Sequence, residues 1–452
     1  MGVRFGTDGI RGVANAELGA ELVLALGRAT ARALPARTFL VARDTRRSGP
    51  LLQAALSAGL ASEGADVVDL GVLPTPGVAW HCASRRLPGA VISASHNPFA
   101  DNGVKLFATG GLKLPDAAEA AVEEELDRVL RSAVRGPRSP TGHAVGRLSS
   151  DPDAADGYVE HLVAALEGRS LEGMRVVVDC ANGAASSIAP AVLERLGATV
   201  DAIACEPDGT NINDGCGSTH PERVGGAVVA SGAAVGLALD GDADRLVAVD
   251  HTGEATTGDE LLALFATDLA GRGRLAGNTV VVTVMSNLGF RLAMDEKGIA
   301  VRETPIGDRY VLEELNADGL SLGGEQSGHL VFRELATTGD GILTAVLLLD
   351  LLRRTGRPLA ELVSEVMRRL PQVLVNIPAV DPAQVVESPD VQAEVAAVTG
   401  ELGDRGRVLL RASGTEPLVR VMAEATDEDL AHAVVARLAA IVERAASVPS
   451  TP

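Results

Sequence analysis

The sequence predicts an α/β chain: three related mixed α/β domains built on βαβ units, followed by a smaller C-terminal α+β domain. Three observations predict it. A unit of buried strand, polar loop, helix, glycine cap and second apolar strand occurs three times. A stretch rich in Pro, Gly and Ser, residues 135–153, separates the first unit from the second. After Arg368-Arg369-Leu370-Pro371 the long strand–loop–helix pattern stops.

The first unit runs from the strand Thr38-Phe39-Leu40-Val41-Ala42 to Glu63-Gly64-Ala65-Asp66-Val67-Val68. The second runs from Arg175-Val176-Val177-Val178-Asp179 to Leu196-Gly197-Ala198-Thr199-Val200. The third runs from Thr279-Val280-Val281-Val282-Thr283-Val284 to Lys297-Gly298-Ile299-Ala300-Val301. Two strands joined through a helix pair in parallel with a right-handed crossover. The apolar run Ile342–Leu352 is too short for a membrane span and contains Asp350, so it reads as a core helix. Thr256-Thr257-Gly258-Asp259 and Thr337-Thr338-Gly339-Asp340 echo each other as helix N-caps. A new strand begins at Val373, and strand-like runs with an Ala-rich helix complete the last module.

Composition narrows the function. At about 150 residues per domain, 452 residues give a prior of about three domains. The formal charge of −20 disfavours nucleic acid and anionic membrane surfaces, both of which need Lys/Arg patches. Aromatic residues are 2% of the chain, too few for base-stacking platforms. Cys82, Cys180, Cys205 and Cys216 form no CxxC pair and fit reduced, cytoplasmic thiols. The N-terminus has neither an apolar signal region nor a myristoylation pattern. Three lysines stand against 37 arginines.

Five segments carry chemistry. Asp240-Gly241-Asp242-Ala243-Asp244-Arg245 follows the buried-strand run Val235–Leu239. Three carboxylates so close repel unless a cation sits among them, and hard oxygen ligands suit Mg²⁺ or Ca²⁺. An EF-hand is excluded because Arg245 stands where its glycine should and His251 where its glutamate should. The bland alternative is a solvated acidic turn. Placement at the C-terminal end of a parallel strand, where such folds bind ligands, argues against it.

Ile92-Ser93-Ala94-Ser95-His96-Asn97-Pro98 opens from another strand. No GxSxG elbow surrounds Ser95, but a serine can carry a phosphoryl group. Lys105 follows ten residues after Ser95, and an amine there can carry a proton where an arginine cannot. Alone, Ser95 is equally a loop hydroxyl and Lys105 a surface charge. Arg411-Ala412-Ser413-Gly414-Thr415-Glu416-Pro417, with Arg420 beyond, combines hydroxyls, an open backbone and two guanidinium groups into a phosphate cradle. A polar turn with surface arginines fits it as well. Gly324-Glu325-Gln326-Ser327-Gly328-His329 offers hydrogen-bonding groups for a polyol, and His329 reads as an acid/base or an ordinary loop histidine. Phe5-Gly6-Thr7-Asp8-Gly9-Ile10-Arg11-Gly12 adds one buriable arginine. Gly271-Arg272-Gly273-Arg274-Leu275-Ala276 mimics a dinucleotide fingerprint but precedes a strand, so that reading is rejected.

Together, from Phe5 to Arg420, these segments resemble the α-D-phosphohexomutase superfamily. The FGTDGIRG, SASHNP and GEQSGH forms look like its glucosamine-phosphate branch. Phosphomannomutase/phosphoglucomutase relatives, the alternative, usually carry Met where this chain has Gln326. The resemblance implies four domains around a central active-site cleft: 1–147, 148–254, 255–366 and 367–452. It implies that Ser95 is phosphorylated, and that Asp240, Asp242 and Asp244 hold one Mg²⁺ together with the Ser95 phosphoryl group. It implies that Glu325 and Ser327 contact sugar hydroxyls, while Arg411, Ser413, Gly414, Thr415 and Arg420 hold the phosphate that does not react. Lys105, His329, Arg11 and Arg245 become candidates for proton transfer and charge stabilisation. A hexose 1,6-bisphosphate is the implied intermediate and activator. The implied partner is a small sugar phosphate, with a homodimer left open. A Mg²⁺-dependent phosphatase using Asp240 as nucleophile is the rival from another class.

Overall fold

The computed structural model describes residues 5–6, 9–131, 140–413 and 417–447. The chain divides into two compact units. One comprises Met1–Met285 with Ile299–Ser364, and the other Ser286–Gly298 with Glu365–Pro452.

The larger unit contains three sheets. The first is built from β1 (Ile10–Val13), β2 (Thr38–Arg43), β3 (Asp66–Val72), β4 (Gly89–Ile92), β5 (Asp101–Phe107) and β6 (Leu148–Ser150). Their order is β1-β5-β4-β2-β3-β6. β2 pairs in parallel with β3 and β4, while β5 runs antiparallel to β4 and β1. β6 pairs with β3, so the first sheet reaches past residue 147. The second sheet, from β7 (Arg175–Asp179), β8 (Thr199–Ile203), β9 (Val235–Leu239) and β10 (Leu246–Asp250), has the order β10-β9-β7-β8. The third, from β11 (Thr279–Thr283), β12 (Ala300–Thr304), β13 (Leu322–Gly324) and β14 (Leu330–Phe332), has the order β12-β11-β13-β14. The strand pairs β2/β3, β7/β8 and β11/β12, which the sequence repeat predicts, are all parallel. Each of these sheets also carries an antiparallel edge, which makes them mixed.

The central strands are apolar throughout because both faces are covered. Val235–Leu239 and Thr279–Thr283 are buried at every position. The run Ile342–Leu352 lies in the helix Gly341–Thr355, with Asp350 buried inside it and paired to Arg169 and Arg354. No helix among the described residues is long and apolar enough to cross a membrane. The echoed caps are real but use different residues. Thr257 closes a capping box with Glu260, whereas Asp340 accepts from Leu343 N–H at 2.9 Å.

The smaller unit has one antiparallel sheet of β15 (Gln372–Pro378), β16 (Gly406–Ala412) and β17 (Leu418–Ala425), ordered β15-β17-β16. The helices Pro389–Leu402 and Glu428–Ala446 pack on it through Val391, Val398, Val435, Leu438 and Val442. The helix Leu288–Glu296 belongs to this unit although its sequence lies between β11 and β12. Glu424, fully buried on β17, explains why: it accepts from Leu288 N–H at 2.8 Å and from Arg407 Nε at 2.6 Å.

Candidate active site

Chain direction brings three loops of the larger unit together. β4 delivers the loop of Ser95, β9 delivers Asp240–Arg245, and the turn between β13 and β14 delivers Glu325–His329. Ser95 is buried and sits in the left-handed region at φ 52°, a conformation that costs a non-glycine residue about 1–2 kcal/mol. Its Oγ donates to Asp240 Oδ2 at 2.5 Å and lies 3.2 Å from His96 Nδ1. Gly241 makes this approach feasible, because a Cβ there would stand 2.6 Å from the Ser95 carbonyl oxygen. Asn213 Nδ2 donates to the carbonyls of Ser95 and Asn97 at 2.8 and 3.0 Å.

Asp240, Asp242 and Asp244 are 1%, 0% and 5% exposed, and they present ligand oxygens within 4.8 Å of one another. Lys105, 2% exposed on β5, donates to Asp242 Oδ2 at 2.9 Å and Asp244 Oδ2 at 3.5 Å. Thr75 holds Asp242 from another side, hydroxyl to carboxylate at 2.6 Å and N–H to carbonyl at 3.0 Å. Burial, then the charges of Asp244 and Asp242, push the Asp240 carboxyl well above the carboxylate range. Burial also opposes ionisation of Asp244, but Lys105, His329 and Arg245 overcome it and hold that carboxyl low. Two buried oxygens, Asp242 Oδ1 and Asp244 Oδ1, have no hydrogen-bond partner. Unsatisfied hard oxygens inside an acidic triad fit a divalent cation such as Mg²⁺.

Charge of the opposite sign surrounds the serine. Arg245 Nε lies 3.7 Å from Asp244 Oδ1, and its backbone N–H donates to Asp240 Oδ1 at 3.2 Å. Arg11 reaches Asn97 Oδ1 at 3.4 Å. Burial, with Arg245 and Arg11 adding to it, lowers the His96 imidazole below its ordinary value, so that ring is neutral at pH 7.

The third loop is locked by glycine. Gly328 has φ 88°, and a Cβ there would meet the Leu246 carbonyl at 2.1 Å. Gly328 O accepts from Leu246 N–H at 3.1 Å, which ties this loop to the start of β10. Ser327 Oγ donates to Glu325 Oε2 at 3.4 Å. His329 is 3% exposed, with Nδ1 3.8 Å from Asp244 Oδ2 and Nε2 accepting from Gly339 N–H at 3.0 Å. Burial works against its charge, while Asp244, Asp308 and Glu325 draw its pKa up to about 9. The Gly339 N–H aims at Nε2, which accepts only in a neutral ring protonated on Nδ1, so this contact opposes the charge that the acidic neighbours favour.

In the smaller unit β16 and β17 set Arg411 directly opposite Arg420. Burial, then the Arg420 charge, lowers the Arg411 pKa. Like charges facing across a ladder are destabilising unless an anion joins them. Ser413 N–H donates to Leu418 O at 2.9 Å where the hairpin opens. Gly414 and Thr415 lie outside the described residues.

The larger unit therefore brings together Ser95, Lys105, Asp240, Asp242, Asp244, Arg245 and His329, with Arg11 alongside and Glu325 and Ser327 on the adjoining loop. Sequence reasoning assigned nothing to Thr75, Asn213 or His96. The only signals were a Thr-Pro helix start for Thr75, an Asn/Gly-rich turn around Asn213, and the seat of His96 beside Ser95.

Models described as phosphoglucomutase/phosphomannomutase alpha/beta/alpha domains I, II and III match residues 2–131, 156–253 and 257–370. The model of the phosphoglucomutase/phosphomannomutase C-terminal domain matches residues 374–441. The chain belongs to the phosphoglucomutase/phosphomannomutase family of the phosphohexomutase superfamily. Within it, the chain is 55% identical to a phosphoglucosamine mutase of Frankia casuarinae, covering 98% of each chain. It is 53% identical to a phosphoglucosamine mutase of Thermobifida fusca, covering 98% of this chain and 99% of that one. A crystal structure of a phosphoglucomutase/phosphomannomutase family protein from Burkholderia thailandensis superposes with a TM-score of 0.83 at 26% identity, covering 99% and 98% of the two chains. The fold extends to an Aspergillus fumigatus N-acetylphosphoglucosamine mutase in complex with GlcNAc-6P and magnesium. Its TM-score is 0.70 at 19% identity, with coverage of 98% and 96%.

Proposed function

We propose that the chain is an isomerase of the phosphoglucosamine mutase type. It interconverts glucosamine-6-phosphate and glucosamine-1-phosphate through a phosphorylated Ser95 and a glucosamine 1,6-bisphosphate intermediate. Relatives 52–55% identical over nearly the full chain support the substrate assignment and do not favour the phosphomannomutase/phosphoglucomutase alternative. The observation that carries the chemistry is the 2.5 Å contact between Ser95 Oγ and a buried aspartate of the acidic triad.

Phosphoryl transfer needs positioning and charge neutralisation more than covalent chemistry from the protein. Asp240, Asp242 and Asp244 would hold Mg²⁺, which supplies Lewis-acid stabilisation of the charge on the moving phosphoryl group. In the forward direction the bond from Ser95 Oγ to phosphorus breaks as the sugar's 1-hydroxyl forms its own bond to phosphorus. The Lys105 ammonium, held by Asp242 and Asp244, gives a proton to the departing Ser95 Oγ and takes back the proton of the sugar hydroxyl, so it ends charged as it began. Arg11 and Arg245 neutralise the transferring group, and His329 holds Asp244. The bisphosphate then turns over, its 6-phosphoryl returns to Ser95 Oγ, and glucosamine-1-phosphate remains. Glu325 and Ser327 orient the sugar hydroxyls. Arg411, Ser413, Gly414, Thr415 and Arg420 grip whichever phosphate is not moving.

This reading divides the chain functionally at 147/148, 254/255 and 366/367, with β6 (Leu148–Ser150) remaining on the first sheet. It places the chain in the cytoplasm as one copy or a homodimer, with a hexose 1,6-bisphosphate as activator. Assays on glucosamine-, glucose- and mannose-6-phosphate, with Mg²⁺ and glucose 1,6-bisphosphate present, test it. Glucosamine-6-phosphate should have the highest kcat/KM. A clear preference for glucose or mannose overturns the assignment, and net release of inorganic phosphate favours the phosphatase rival.

A further inference from the structure

Arg46 is a large, charged side chain that is only 1% exposed, and nothing in the reaction as described uses it. It follows β2, next to β4 in the sheet, so it sits beside the strand end from which the Ser95 loop departs. A guanidinium has five N–H donors. All five are used here, each on a different acceptor. Nε donates to Asp44 Oδ2 at 2.9 Å. Nη1 donates to the carbonyls of Asp101, at 3.0 Å, and Pro98. Nη2 donates to the carbonyls of Ser95 and Asn97 at 2.9 and 2.8 Å. Four acceptors of the five are backbone carbonyls of the serine loop and the first residue of β5.

The second arm runs through Asp44. Its side chain is 0% exposed, accepts from Arg46 N–H at 2.9 Å and accepts from Ser93 Oγ at 2.7 Å. Ser93 Oγ in turn accepts from Ser95 N–H at 3.0 Å. Both backbone polar groups of Ser95 are thus wired to one buried ion pair, the carbonyl directly and the N–H through one hydroxyl. Ser95 is also the residue held in left-handed geometry. Such a conformation persists only where the surroundings over-determine it.

We propose that Arg46 is a positioning residue for phosphoryl transfer. It fixes the Ser95 backbone so that Oγ points at Asp240, and it acts on the rate of transfer at Ser95 rather than on sugar affinity. The proposal rests on the reading of Ser95 as phosphoryl carrier. Misplacement of a reacting atom by about 1 Å costs about 10²-fold in rate. A lysine, with three donors and no planar fork, cannot replace the network.

The test compares wild type, Arg46→Lys and Ser93→Ala in Mg²⁺. Phosphoryl uptake by Ser95 from glucose 1,6-bisphosphate is followed by intact mass with peptide mapping, alongside steady-state kcat and KM. Arg46→Lys should lower both the uptake rate and kcat by about 10²-fold with KM within about threefold. Ser93→Ala severs only the N–H arm and should lower both by about tenfold. It decides the matter if Arg46→Lys does not fold. Wild-type uptake rates in the folded variants, losses that merely equal the loss of folded protein by circular dichroism, or a change confined to KM would overturn the proposal. A wild-type chain that takes up no phosphoryl group at Ser95 would overturn the mutase reading itself.

Discussion

The serine and metal centre of the larger unit and the arginine hairpin of the smaller one treat charge in opposite ways. Around Ser95, charges of opposite sign are buried against each other. Lys105 lies between Asp242 and Asp244, and Thr75 and His329 hold the same carboxylates. On β16 and β17, like charges face each other across the ladder, Arg411 against Arg420. The difference follows from the two tasks in the proposed reaction. Chemistry needs groups that do not reorganise, and a low-dielectric site with prearranged charges supplies them. A grip that must accept either of two phosphates, and release both, works with two guanidinium groups set side by side for an anion to join.

That contrast can be broken most decisively at Ser95. Ser95→Ala should keep the wild-type melting curve and lose about 10⁴-fold or more in kcat, because no other group can carry the phosphoryl. Near-normal turnover would remove the centre's proposed role.

A smaller effect is expected from a buried carboxyl beside the centre. Asp340 caps the helix Gly341–Thr355 and accepts from Tyr158 Oη at 2.6 Å. Burial, opposed by these hydrogen bonds, raises its pKa from 3.8 to about 6. The folded value lies above the unfolded one. Its stabilising contribution is therefore complete below about pH 3.8 and is lost as pH rises through about 6. Asp340→Asn keeps the capping acceptor and has no charge to bury. Relative to wild type it should gain stability between pH 4 and pH 7, by at most about 3 kcal/mol. Urea melts at the two pH values measure this, and an unchanged difference between the proteins would refute it.

The hairpin sharpens the comparison with the smallest effect, one of divided sign. Arg420→Ala should raise KM for glucosamine-6-phosphate about tenfold, the worth of one charge-assisted contact. It should also relieve the pair with Arg411 and stabilise the smaller unit by about 0.2–1 kcal/mol. Steady-state kinetics on glucosamine-6-phosphate read the first effect and thermal melts the second. A variant that is less stable and has unchanged KM would show that the facing arginines are structural.

The sequence alone determined the repeated strand–helix–strand units, the strand ends at which ligand loops emerge, and the residue types in those loops. These are local properties: period, cap and spacing within a few residues. It also singled out Lys105 by the rarity of lysine. Only the tertiary structure decided what Lys105 does, because its partners Asp242 and Asp244 are 137 and 139 residues away in the chain. The same holds for Thr75, 167 residues from Asp242, and for Asn213, 118 residues from the Ser95 carbonyl it bonds. The helix Leu288–Glu296 reads as part of the third α/β repeat, yet it packs with the C-terminal sheet because Glu424 holds its first turn. Arg46 looks like any charged loop residue until its five donors are followed to their acceptors. Periodicity is written along the chain, whereas the convergence of side chains is set by how the sheets stack, and no short-range pattern encodes that.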